Sequence, residues 1–297
     1  MPTRSALVVT GALVMALAGG IALGAGVLDG AEPEPASAAR VAPQETPADT
    51  AARAVADAYR AGLGETPLAG TLTGSSVSVV TLPGADTTTV DRVTATLTSA
   101  GATVVGTLAL TDRMVDPADR QFVVGVAEQS LADVKDTPTD GLGNYEIVGA
   151  ALGRAIAAKE TTPPDAPAQT VVSALGEAGL LTTEKAPASR AQLTVVVTGE
   201  DGDYSGGRGE LVATLAAGID AAGVGTVVAG PVGSGSAEGA VEAVRASAAA
   251  ETVTTVDVVD VPFGDIVLVT ALQKERAGTA GHYGTAGAAD GAVPPAA

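Results

Sequence analysis

The sequence predicts an α/β protein: an N-terminal transmembrane helix followed by an exported domain of two βαβ-type, Rossmann-like lobes with a parallel sheet. Three observations predict it. Residues 6–28 carry no charge. A strand–helix–strand pattern occurs twice further along. The core must be aliphatic, since hydrophobic residues make up 46% of the 297 while Phe numbers 2, Tyr 4 and Trp 0. That much apolar material excludes wholesale disorder.

Residues 1–28 read as a cytoplasmic stub and a membrane anchor. A helix over 6–28 rises ~35 Å, enough for a ~30 Å hydrocarbon core. Arg4 precedes it, and Asp29, Glu32 and Glu34 follow. The positive flank stays in the cytoplasm, which places the main domain on the far side of the membrane, in the cell envelope. A cleaved signal peptide is the competing reading, with Ala36-Ser37-Ala38 as its A-x-A-like site. The apolar run, however, exceeds the ~7–15 residues of a signal-peptide core. Both readings export the rest of the chain. Gly20 and Gly24 form a G-x-x-x-G spacing, which arises easily by chance in so Ala- and Gly-rich a stretch.

Residues 29–67 read as a linker with a short helix. The part over 31–49 is rich in Pro, Ala and Glu and cannot bury a core, whereas 50–62 has helical propensity with Val55 and Tyr59 on one side. The exported domain spans 68–277. Its first lobe, about 68–135, holds the strand 77–82, the helix 91–102 and the strand 103–110. Its second, about 190–277, holds the strand 193–198, the helix 210–223 and the strand 225–230. Each has a β-branched run, a helix with Leu and Val at i, i+3, i+4 spacing, an Ala-Gly break and another apolar run, the signature of a right-handed βαβ crossover with buried strands. Helices over 116–131, 144–158 and 168–181 connect the lobes. A helix over 236–249, a strand over 252–257 and a helix from Pro262 to about 275 complete the second. Residues 278–297 have no apolar period and read as a disordered tail.

Charge and composition exclude several function classes. With 16 basic and 34 acidic residues the net charge is −18, which leaves no basic face for nucleic acid. With no Cys there is no disulfide, thiolate zinc site, iron–sulfur cluster or cysteine nucleophile. The one histidine, His282, falls in the expected tail, where no Ser/His/Asp relay would be held. No catalytic residue, enzyme activity or cofactor is expected.

Two turns resemble binding motifs. Asp201, Asp203, Ser205 and Gly206 match the opening of a calcium loop, but its twelfth position is Val212, which offers no carboxylate. Asp201, Asp203 and His282 are therefore weak metal candidates and no metal site is assigned. Gly233, Gly235 and Gly239 precede a helix, with Asp257 ending the next strand, as in a dinucleotide fingerprint. Their spacing is one residue too long, and a plain strand-to-helix turn is expected.

Three stretches carry a family resemblance: residues 75–116, residues 192–230 and the C-terminal run TVTTVDVVDVPFGDIVLVTALQKERAGTAGHYG. Together with the single N-terminal span, they resemble the actinobacterial copper transport protein B family (MctB) over roughly residues 68–284. The chain departs from the family's long heptad coiled coil after the span, since 31–64 is short and broken by Pro. The resemblance implies a membrane-anchored envelope protein in copper export and homeostasis, and it carries over no catalytic residue. Copper(I) favours thiolate and thioether and copper(II) imidazole. One His and three Met give a single chain little means to hold copper, so contact with the ion is weak or indirect. A scaffold in envelope assembly or cell separation, and a small-ligand-binding α/β module, are the alternative functions. The expected partner is the bilayer, through one helix; a homo-oligomer and an envelope-protein partner stay open.

Overall fold

The computed structural model describes residues 45–63, 68–132, 134–137, 139–200 and 203–295. The anchor expected over 6–28 lies outside the described residues. Among those described, no helix is long and apolar enough to cross a membrane. The described residues form one compact unit.

Helix α1 (Pro47–Ala58) opens on a capping box, in which the Thr46 side chain accepts from the Asp49 N–H and the Asp49 carboxylate accepts from the Thr46 N–H. A π-helical turn, Tyr59–Leu63, follows. The first βαβ unit is β1 (Ser76–Thr81), α2 (Thr87–Ser99) and β2 (Thr103–Leu110). The connection supplies α3 (Arg120–Leu131), α4 (Asn144–Ile156), α5 (Ala166–Glu177) and the strand β3 (Leu181–Lys185). The second unit is β4 (Leu193–Val197), α6 (Arg208–Ala222) and β5 (Gly225–Ala229). It continues through α7 (Ala240–Arg245), β6 (Thr254–Val256), α8 (Gly264–Arg276) and β7 (His282–Tyr283).

All strands join one seven-stranded sheet in the order β3-β2-β1-β4-β5-β6-β7, parallel except for the β2–β3 pair. This corrects the expectation of two lobes. β1 pairs with β4 from Val77–Leu193 to Thr81–Val197, so the second unit extends the first unit's sheet. Pairing within a βαβ unit follows from its short crossover, whereas pairing between units depends on which exposed strand edges meet. The result is a Rossmann-like order whose direction reverses between β1 and β4.

Alternation along the strands divides the core. Val80, Leu108, Val196 and Val228 point to a layer filled by α3, α4, α5, α6 and α7. Val79, Val195, Val197 and Val227 point to the opposite layer, filled by α1, α2 and α8. Aliphatic side chains on both faces explain the near-continuous Val runs.

Two segments differ from expectation. β3 has only Leu181 buried, and its remaining Thr, Glu and Lys residues face solvent. Such a strand carries no apolar alternation, and its charges protect the sheet edge. The stretch expected as a disordered tail instead forms β7, pairing Thr255–His282 and Val256–Tyr283. Tyr283 is 4% exposed. What holds this stretch is a set of partners distant in sequence, not an apolar period of its own.

Candidate functional site

In an open α/β sheet, ligands enter beyond the carboxyl ends of the strands at the switch point, here between β1 and β4. That crevice is filled by the chain itself. The Leu82 N–H donates to the Val197 carbonyl at 2.8 Å. Gly199 lies directly against the Gly84 carbonyl, so close that no side chain fits there. Tyr204, 5% exposed, closes the top, and its hydroxyl donates to the Pro83 carbonyl at 2.7 Å. Burial pushes its phenol pKa up.

The acidic turn is partly visible. Asp201 lies outside the described residues. Asp203 is exposed, and its Oδ1 accepts from the Ser205 N–H at 3.0 Å, a local turn contact. The Ser205 hydroxyl and N–H hold its pKa below the usual carboxylate value. The structure does not bring Asp203 together with His282, which stands on the edge strand β7.

The Gly-rich turn also serves the fold. Its fingerprint acid, Asp257, directly follows β6 and pairs with Arg245 of α7 at 3.1 Å, both side chains 0% exposed. Arg245 also donates to Thr255 Oγ1 at 2.8 Å, to the Tyr283 carbonyl at 3.0 Å and to the Ala286 carbonyl at 2.5 Å. Asp257 accepts from the N–H groups of Thr285 and Ala286, each at 3.0 Å. The carboxylate that would hold a ribose in a dinucleotide fold thus fastens the C-terminal segment. Gly235 leaves room for that carboxylate and for Ala286.

His282 sits in the same network. Thr255 Oγ1 accepts from Arg245, so its own proton is free for His282 Nδ1, 3.0 Å away. Burial, with a further contribution from Arg245 and against the pull of Asp290, lowers the imidazole pKa. The backbone of His282 exchanges hydrogen bonds with Asp290. Met114 is fully buried in the layer under α3 and α4, in the turn after β2. β2 and β7 are five strand steps apart in the sheet, or ~24 Å at the usual spacing. The two soft donors among the described residues therefore cannot share a metal ion. No group of three or more His, Cys, Asp or Glu among the described residues could hold one either.

Two features lie outside the motifs that the sequence analysis singled out. At the amino ends of β5 and β6, Glu275 of α8 accepts from the Thr254 N–H at 2.8 Å, and burial raises its pKa to about 7, aided by the charge of Asp220. Burial raises Asp220 of α6 to about 6. These carboxylates lie 55 positions apart, a separation that no local pattern reveals. The second feature is a groove of about 840 Å³ on the outer side of α4 and α6. These helices run parallel and nearly touch: Gly149 meets Thr214 and Gly218, and Gly153 meets Gly218 and Ala222. The groove floor is alanine-rich, including Ala150, Ala157, Ala217 and Ala221. The signal available in the sequence was the small-residue spacing of Gly149 and Gly153 on one helix and of Gly218 and Ala222 on the other.

Residues 1–294 match the family described as copper transport outer membrane protein, MctB. Proteins named copper transporter MctB from Mycobacterium tuberculosis and Mycobacterium bovis are each 32% identical over 226 residues, covering 72% of this chain and 71% of theirs. The protein of that name from Mycobacterium leprae is 32% identical over 238 residues, covering 75% of this chain and 73% of its own.

Proposed function

The chain belongs to the MctB copper transport family, and from that premise we propose that it acts in copper transport and copper homeostasis as a non-catalytic protein of the cell envelope. In this reading residues 6–28 fasten the chain to the membrane and the α/β unit works on the far side. The single observation that carries the non-catalytic part is the closed switch point, where Gly199, Gly84 and Tyr204 occupy the place a substrate would take. The described sheet is open and covered by helices on both faces, so these residues are not themselves a lipid-facing barrel.

Copper is cargo in this reading and is not held by soft ligands of the α/β unit. Met114 is packed in the core in the turn after β2, and His282 of β7, at the far side of the sheet, is bound to Thr255. The test is cell-associated copper in a deletion strain complemented with the wild-type chain or with a Met114→Leu, His282→Ala double variant. Both should return copper to the wild-type level. Failure of a stably produced double variant would show that these side chains handle the ion. Normal copper in the deletion strain, with chained or misshapen cells, would replace this reading with the envelope-scaffold alternative.

A further inference from the structure

We propose that the groove between α4 and α6 is a contact surface between two copies of this chain, joined antiparallel about a two-fold axis. The inference stands apart from the copper-transport reading and rests on charge, helix direction and side-chain size.

Because α4 and α6 are parallel, their amino ends lie together, as do their carboxyl ends. Glu146 and Glu210 line the amino end of the groove, and Lys159 and Arg190 line the carboxyl end. From Glu210 to Ala222 the helix rises ~18 Å, so the acidic and basic ends are well separated. The macrodipoles of the parallel helices put partial positive charge at the amino ends and partial negative charge at the carboxyl ends, which stabilises Glu146, Glu210 and Lys159 where they stand, so the polarity of the groove comes from these charged side chains and the dipoles partly offset it. A second copy laid across it by a two-fold rotation sets acidic end on basic end at both extremities and opposes the two pairs of dipoles. A two-fold interface requires this self-complementarity.

The charge balance points the same way. The chain carries −18, so two copies repel over most of their surfaces. Among the charged residues lining this groove, Arg154 is buried and already paired with Asp136 and Asp165 within the chain, which leaves Glu146 and Glu210 facing one way and Lys159 and Arg190 the other, two acids against two bases. It is therefore a place where repulsion is offset. The alanine floor allows a partner helix close approach. Leu142, one of three large apolar side chains left exposed among the described residues, stands on the rim and supplies a knob for the partner's floor.

The natural absence of cysteine makes the test clean. Single Ala217→Cys and Ala150→Cys variants of the full chain, in detergent, place a thiol near the middle of the groove. An Ala95→Cys variant places one on exposed α2, on the opposite layer. A short bis-maleimide should link copies of the groove variants about tenfold faster than copies of the α2 variant. Lys159→Glu should weaken association about tenfold, Glu210→Lys should do likewise, and the double variant should regain it, since the exchanged charges again meet their opposites. Added salt should weaken the wild-type contact. Three results would each overturn the proposal: equal cross-linking from both layers, a dimer insensitive to the charge exchanges, or groove thiols shielded from maleimide in a chain that sediments as a monomer. The second would mean association elsewhere, and the third a different occupant of the groove.

Discussion

Replacing Asp257 by Ala removes one half of an ion pair in which neither side chain touches solvent. Arg245 keeps its charge in a buried setting and retains only neutral acceptors, the hydroxyl of Thr255 and the carbonyls of Tyr283 and Ala286. Breaking a buried pair from one side costs about 3–5 kcal/mol, because the remaining charge is uncompensated. The N–H groups of Thr285 and Ala286 lose their acceptor at the same time, so the upper half of that range is expected. The segment after β7 should loosen first. Urea unfolding of the full chain would measure the loss, and limited proteolysis would locate it, with cleavage appearing after Tyr283 well below the global midpoint. Replacing both partners by apolar residues, Arg245→Met with Asp257→Leu, should recover much of the stability, since no stranded charge remains. A loss under about 1 kcal/mol for Asp257→Ala, with the segment still resistant to protease, would refute the assignment of this pair as the lock on the C-terminal segment.

Other consequences are equally direct. Gly218→Val should cost more than about 3 kcal/mol in thermal or urea unfolding, because even a Cβ at this position would lie 2.5 Å from the Gly149 backbone and force two packed helices apart. Tyr204→Phe should cost about 1 kcal/mol by removing the hydroxyl's bond to Pro83, measured as a shift in the urea midpoint. The pH dependence has a defined sign. The Glu275 carboxyl holds its proton to about 7 in the folded chain and to its ordinary value near 4.5 when unfolded. The folded state therefore binds more protons between those values, and the stability this supplies at low pH is lost as pH rises toward and through 7. Urea midpoints should fall over this window, and Glu275→Gln should flatten the fall while keeping an acceptor for Thr254. A midpoint unchanged by Glu275→Gln at every pH would rule that out.

Legibility followed the range of the interactions. The Val runs of β1, β2, β4 and β5 and the helices between them were readable because periodicity reports burial of each element against its neighbours. β3 was unreadable because an exposed edge strand needs only backbone partners, which Thr182, Thr183, Glu184 and Lys185 provide without any apolar pattern. β7 was unreadable because the order of 282–286 comes from Arg245 and Asp257. The dinucleotide-like Gly turn was visible in the sequence, but the partner of its acid was not.

The amino-acid sequence by itself determined the α/β class, the uncharged run over 6–28, the scarcity of soft copper ligands and the strong negative charge. All four are properties of composition and short-range order. Tertiary structure alone decided that two βαβ units share one sheet, that the switch-point crevice is closed, that Asp257 meets Arg245, and that two glycine-bearing helices lie parallel beneath a groove acidic at one end and basic at the other. Each of these joins residues tens to hundreds of positions apart or, in the ion pair, buries two charges whose mutual contact no local pattern encodes. Their juxtaposition is selected by the free energy of the whole packed core, and no short window of sequence contains it.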